Sequence, residues 1–397
     1  MAVSISQRPD FVQFNTEEAF HLGVAPSVQH LNPFSAGGDG LFKTVNGLHK
    51  YKMLHMAVPQ DVLVPESDCE TWSPSAKTFV SDDSIECAYF EVNESMCPDE
   101  YLASCLRNIS SAGKRVQDIM IRSTTPISEI TAALVAGIQT AIGSSIYKVG
   151  MFGDPNFGTG SYHSASDVNY LAHRSSAEKT RLVNMLQQGE GIDTILRRRA
   201  GNNQVAYVDT NDGTLAGNMT LSTNIRDFLV QMRLQSSDSL QYWNEISGGL
   251  GNAGYYLQYG LYRAYIDYLQ TLPGGSDNHR FIVDGTPVPG VYEFEGYPVI
   301  HWRDADVFDA QIGLKDSATG YSLNQRALFT VPENLTLLTN VQNAAGIENA
   351  GLIIQQSPLI REKGKLDMFM TLGIGAGIAH NELVTYGFNS STTYTTS

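Results

Sequence analysis

An α+β fold is what the sequence predicts, and three observations point to it. Strand-like runs gather in two blocks, at about 51–94 and again from about 280 to 388, instead of alternating one by one with helices. Between the blocks lies one long apolar stripe of helical period, followed by further segments with helix signals. With 397 residues, 42% of them hydrophobic and 17% charged, the chain is long enough to bury a sizeable core in two or three domains.

Taken in order, residues 1 to about 45 carry "NPFSAGGDGLF", which has neither helical nor strand period, and read as an extended arm that needs a partner surface. From Tyr51 to Glu94 come "YKMLHMAV", "DVLVP", "KTFV" and "IECAYFEV", divided by Pro59, Pro65 and Pro74, which read as a long hairpin. Thr125 then caps a helix with Pro126 in its first turn, and Ile127, Ile130, Leu134, Ile138, Ile142, Ile146 and Val149 recur at steps of three and four. From Pro126 to Val149 that helix would reach roughly 36 Å at about 1.5 Å per residue. Gly137 and Gly143 inside it cost about 1 kcal/mol each, so packing must compensate.

A Gly-rich loop, "GMFGDPNFGTGSYHSASD", precedes a second helix that opens on the box Ser175-x-x-Glu178 and ends near Gly189. Another begins around Ser222 or Thr223, with Ile225, Phe228, Leu229 and Met232 on one face. Tyr255 to Leu272 reads as a tyrosine-rich helix closed by "PGG". Strands return in "HRFIVDG", "GVYEFEGYPVIHW", "RALFTV" and "KLDMFMTLGIGAGIAHNELVTYGF", and "NSSTTYTTS" is a loose tail.

Charge excludes some functions. Lys and Arg number 26 against 41 Asp and Glu, a net of -15, which repels phosphate backbones and anionic lipid. The one basic run, Arg197 to Arg199, reads as cations at a helix C-terminus. The N-terminal stretch lacks the pattern of a signal peptide and no segment approaches about 18 apolar residues in a row, so the expectation is a soluble chain made in the cytosol. Cys69, Cys87, Cys97 and Cys105 form no C-x-x-C pair and read as reduced, mostly buried thiols.

The motifs that bear on chemistry fail one by one. Gly249, Gly251 and Gly254 have the G-x-G-x-x-G spacing of a dinucleotide turn, but "DSLQYWNEIS" before them is too polar for a buried parallel strand. They read as a turn feeding the tyrosine-rich helix, not as a phosphate cradle. Gly373, Gly375 and Gly377 follow a strand-like run, and read as places where another backbone comes close. Ser161, His163 and Asp167 lack a nucleophile elbow, the nine histidines have no metal-ligand spacing, and Glu293 with Glu295 reads as an exposed acidic strand edge. No catalytic, cofactor-binding or metal-binding residue is assigned.

The order of parts, taken whole, resembles the major capsid protein of tailed double-stranded DNA bacteriophages, the Hong Kong 97 fold. "ECAYFEVNESMCPDEYL" is similar to the strand-to-helix segment leaving that family's extended loop, and "AIGSSIYKVGMFGD" to the end of its spine helix. "YEFEGYPVIHWRDAD" resembles its strand through a G-x-P-V turn, and "RALFTVPENLTLL" the strand and turn that follow.

The resemblance implies an N-terminal arm at 1–45, an E-loop at 46–97, a first part of the P-domain at 98–205 with the spine helix at 126–149, an A-domain at 206–325, and return strands with a tail at 326–397. It implies a structural protein, not an enzyme and without cofactors, that assembles with copies of itself into pentamers and hexamers around double-stranded DNA, with no membrane. Because the hairpin is reached by about residue 50, the expected partners include a separate scaffolding protein, with a portal and decoration proteins beside it. The chain would be made in the host bacterial cytoplasm and end in the virion. Trp72, Lys77, Phe79, Tyr255 and Tyr256 are the expected inter-subunit contacts, Lys77 also being the one lysine placed for an isopeptide crosslink. An encapsulin-like shell and a nucleotide-dependent oxidoreductase are the alternatives.

Overall fold

The computed structural model describes residues 42–46, 50–57, 79–96, 141–157, 176–210, 221–246, 253–283, 285–311, 325–331, 334–342, 353–356 and 366–388. Expectations that fall elsewhere, among them the arm before 42, the helix over 126–140 and the Ser161, His163 and Asp167 loop, lie outside the described residues.

The described strands form three sheets. A two-stranded ribbon pairs β2 (Lys50–Ala57) with β3 (Phe79–Glu86), in antiparallel register from Lys50 opposite Glu86 to Ala57 opposite Phe79. A five-stranded sheet is built on β13 (Leu366–Ile378). One edge of β13 is shared end to end by β11 (Leu335–Gln342) and β12 (Ile353–Gln356), the other is taken by β4 (Ala88–Met96), and β1 (Phe42–Asn46) joins β11 in parallel. The hairpin expected to run to Glu94 therefore ends at Glu86. Cys87 separates β3 from β4, whose backbone hydrogen bonds go to β13 instead of to β2.

The third sheet has seven strands in the order β5 (Ala206–Asp209), β14 (Val384–Phe388), β10 (Ala327–Thr330), β6 (Gly254–Leu257), β9 (Tyr297–His301), β8 (Thr286–Phe294) and β7 (Arg280–Val283). β10 and β14, expected among the return strands, thus belong to the sheet of the 206–325 segment, and the boundary at 325/326 does not coincide with a sheet boundary.

Strand alternation makes this sheet a partition between two cores. On β6, Tyr255 and Leu257 face one way and Tyr256 the other; on β10, Ala327 and Phe329 oppose Leu328. The first face is covered by helix α4 (Ile225–Gln235), through Ile225, Phe228, Leu229 and Met232 as the sequence pattern requires. Helix α7 (Tyr259–Thr271) covers the same face through Leu261, Tyr265 and Leu269. Two short helices, α5 (Asp238–Gln241) and α6 (Trp243–Ile246), follow α4.

The opposite face meets helix α1 (141–152), α2 (Ser176–Gln187), α3 (Ile192–Gly201) and α8 (Arg303–Gln311). That core also receives Leu335, Leu337, Leu372 and Ile374 from the five-stranded sheet, so it binds the two larger sheets together. Ile142, Ile146 and Val149 are buried as their spacing predicts. The helix runs on through Met151 and Phe152, both buried, so what reads as the start of a Gly-rich loop is the last helical turn.

Candidate assembly surface

The ribbon stands apart from the other two sheets in its backbone pairing. β2 and β3 hydrogen-bond to each other and to no other strand among the described residues. At its base Ile85 is buried against Leu338, with Tyr51, Cys87 and Ala379 around them. A Cβ at Gly375 would lie 2.8 Å from the Glu86 carbonyl oxygen and 2.8 Å from Ile85 Cγ2, so a glycine lets the ribbon's backbone meet β13. Lys50 and Glu86 form an exposed ion pair beside this contact, and Lys50 holds the Glu86 carboxyl below its ordinary value. Burial pushes the Cys87 thiol up to about 11, which keeps it protonated and inert. A cavity of about 150 Å³ opens under the ribbon's base, lined by Ser84, Glu86, Gly150, Glu190, Arg198 and Gly377 among others.

The body carrying the ribbon is fixed by a buried ionic cluster that sequence reasoning missed. Arg326, fully buried just before β10, sets Nη1 at 2.6 and 2.7 Å from the two oxygens of Asp309 on α8, and Nε 3.2 Å from Asp193 on α3. Burial alone would lower the guanidinium's pKa, but Asp193 and Asp309 more than offset it and hold the charge firmly in place. Gln258 completes the set, donating to Asp309 at 2.7 Å and accepting from the Arg326 backbone N–H at 2.6 Å.

The Arg326 guanidinium lies 5.2 Å over the Phe152 ring, which stacks at 4.1 Å on Phe308, and Trp302 donates to the Tyr147 hydroxyl at 3.0 Å. The end of α1 is thereby clamped to the seven-stranded sheet. Arg197 corrects the reading of the basic run: Arg198 and Arg199 do sit in the last turn of α3, but Arg197 is buried. It pairs with Asp193 at 3.3 Å, donates to the Tyr386 hydroxyl at 3.2 Å and lies 5.1 Å over the Phe388 ring.

Of the three glycines spaced over 249–254, the structure describes Gly254. Gly249 and Gly251 lie outside the described residues. Gly254 opens β6, a strand buried along its whole length in the middle of the sheet, so the segment expected to be helical from Tyr255 is strand first and helix only from Tyr259. The physical reason is burial on both faces, which suits Gly-Tyr-Tyr-Leu as a central strand. The N-terminus of α7, where a phosphate would be held, already receives Asp306 Oδ2 at 2.9 Å from the Tyr259 amide.

The expected contact residues fare differently. Tyr255 and Tyr256 are 0% and 1% exposed, Tyr255 stacked 4.3 Å from Phe329 and Tyr256 turned into the opposite core, so neither can meet a neighbour. Trp72 and Lys77 lie outside the described residues, and Phe79 stands at the far end of the ribbon opposite Ala57. The acidic edge also needs correction: Glu293 is exposed on β8, but Glu295 sits in the turn and pairs with Arg233 at 2.7 Å. Exposed apolar side chains on the described surface include Leu234, Ile282, Leu221 and Tyr89. Ile282 lies on β7, an edge of the seven-stranded sheet.

No protein-family model and no curated protein sequence matches the chain. Solved structures to which it is similar include the satellite phage P4 procapsid with its size determination (Sid) protein, at 8% identity and a TM-score of 0.44, covering 87% of this chain and 92% of that one. The capsid of a native GTA particle is similar at 11% identity and a TM-score of 0.42, with 98% and 99% covered. Mycobacterium phage Ogopogo is similar at 11% identity and a TM-score of 0.40, with 86% and 87% covered.

Proposed function

We propose that the chain is the major capsid protein of a tailed bacteriophage, a structural subunit that assembles with copies of itself into the pentamers and hexamers of an icosahedral head enclosing double-stranded DNA. The observation that carries this reading is the ribbon. A two-stranded sheet is marginal in water by itself, and β2 with β3 forms a sheet of its own, joined to the body through a small cluster at its base. In this reading a neighbouring subunit gives the ribbon a surface to lie on, and contacts that rotate about local axes close into rings.

The order of parts that resembles the family supports the same reading where it falls on described residues. The ribbon comes first, then a helix ending at 152 just before Gly153 and Asp154, then a hairpin through Gly296, Tyr297 and Pro298, then a turn at Asn334 into β11. The division into arm, E-loop, P-domain and A-domain belongs to this proposal, as do a separate scaffolding protein, a portal and decoration proteins. Trp72, Lys77 and Phe79 remain proposed inter-subunit contacts. The net charge of -15 suits a wall that encloses DNA without gripping it.

The test shortens the hairpin by removing residues 62–78 and joining the ends with a Gly-Ser turn. Retained circular dichroism with loss of shells in negative-stain images is the expected outcome. Shells of normal yield and stability from the shortened chain would overturn the role of the ribbon. Only compact monomers or dimers, from recombinant protein and from the native source alike, would overturn the capsid reading itself.

A further inference from the structure

We propose that the seven-stranded sheet continues from one copy of the chain into the next, the β7 edge of one lying along the β5 edge of its neighbour. The inference rests on the self-assembly proposed above and names an edge through which two subunits meet. β5 and β7 end the sheet on its two sides, and among the described residues no strand pairs with the outer side of either. They read Ala-Tyr-Val-Asp and Arg-Phe-Ile-Val, so Asp209 and Arg280, each at a strand end, are their only charges. Edge strands are commonly guarded by a charge or a proline within the strand. These two carry large exposed apolar side chains instead, Tyr207 at 41% and Ile282 at 59%.

Register fits the two edges to each other. The row of paired residues that starts at Ala206 and Thr385 passes Tyr255 in the middle of the sheet and ends at Tyr292 and Arg280, so β5 and β7 stand at the same height. Four antiparallel and two parallel pairings separate them, so they also run in the same direction. A second copy added head to tail therefore sets its β7 parallel to the first copy's β5 with no shift along the strands.

The faces agree as well. Tyr207 extends the row of Tyr386 and Tyr256, which fills one core, and Phe281 at the far end of the sheet belongs to that same core. Val208 belongs to the other core, and Ile282, next to Phe281 on its strand, faces that side. Across the seam Tyr207 of one copy lies beside Phe281 of the next, and Ile282 beside Val208. Arg280 falls level with Ala206 and Asp209 with Val283, so no like charges oppose each other. Pairing β7 with β7, or β5 with β5, about a twofold axis would leave one apolar edge open on every copy, whereas head-to-tail pairing covers both.

The test places the photoreactive residue p-benzoylphenylalanine at Tyr207 in one full-length chain and at Ile282 in another, and irradiates each as shells and as unassembled protein. Covalent dimers are expected from shells alone, with position 207 joined to the peptide that holds 280–283 and position 282 to the peptide that holds 206–209. Dimers joined 282 to 282 or 207 to 207, joins to another segment or to a different protein, or no dimers from shells would overturn the seam and leave the capsid reading standing. Ile282→Lys, at an exposed position, should keep its circular dichroism and lower the yield of shells about tenfold; an unchanged yield would again overturn the seam. An unmodified chain that never forms shells removes the seam together with the reading it rests on.

Discussion

At the scale of single residues, two positions carry more than their neighbours. Gly375 has no space for a side chain, and the obstruction is partly backbone, the Glu86 carbonyl oxygen at 2.8 Å, which cannot swing aside as a side chain would. Gly375→Ala should therefore cost about 1–3 kcal/mol in urea denaturation and shift the ribbon's base, read as increased exchange of the β3 amides near Glu86. Arg326 is the second. Its removal takes the guanidinium partner from the buried Asp309 and leaves Asp193 to Arg197, so Arg326→Met should destabilise the chain by about 3–5 kcal/mol. Converting Asp309 to Asn in the same chain should recover part of that loss, and a double variant as unstable as the single one would show that packing, not charge, sets the cost.

At the scale of elements, the β8–β9 hairpin shows how turn chemistry fixes register. Phe294 pairs with Tyr297, and between them Glu295 and Gly296 take φ of 51° and 84°, the two positive values that a tight hairpin turn needs. Glycine adopts such a value freely, and Glu295 is held there with help from Arg233, which also lies 5.4 Å over the Tyr297 ring. Gly296→Val should lower stability by about 1–2 kcal/mol, mainly through backbone strain, seen as a lower thermal midpoint. Nothing lies within 4 Å of a Cβ built there, so an unchanged midpoint would mean that the turn is not held in this conformation in solution.

At the scale of the whole molecule, the governing quantity is the net charge of -15, which in the proposed capsid role is carried by every subunit that meets its own copies. Like-charged subunits repel over about 10 Å at about 0.1 M salt and over much shorter distances at higher ionic strength. Self-association followed by light scattering should therefore quicken as sodium chloride is raised from about 0.05 to about 0.5 M. Slowing over that range would indicate that opposite-charge contacts dominate the assembly surface.

Local patterns are legible in the residues alone. The stripe Ile225, Phe228, Leu229 and Met232 has one face to bury, and it buries it; the continuation through Ile142, Ile146 and Val149 does the same. Gly375 was legible as a place of close backbone approach because an alternating glycine in an apolar strand has few other uses. Other features depend on which segments meet in the folded chain. Tyr255 and Tyr256 carry the same side chain and stand side by side, yet whether they begin a helix or fill two cores depends on β9 and β10 arriving on either side of them. The Arg326 cluster gathers Asp193, Gln258 and Asp309 from segments far apart in the chain. No local periodicity encodes such a meeting, because a buried charge becomes tolerable only when folding brings its partners to hydrogen-bonding distance.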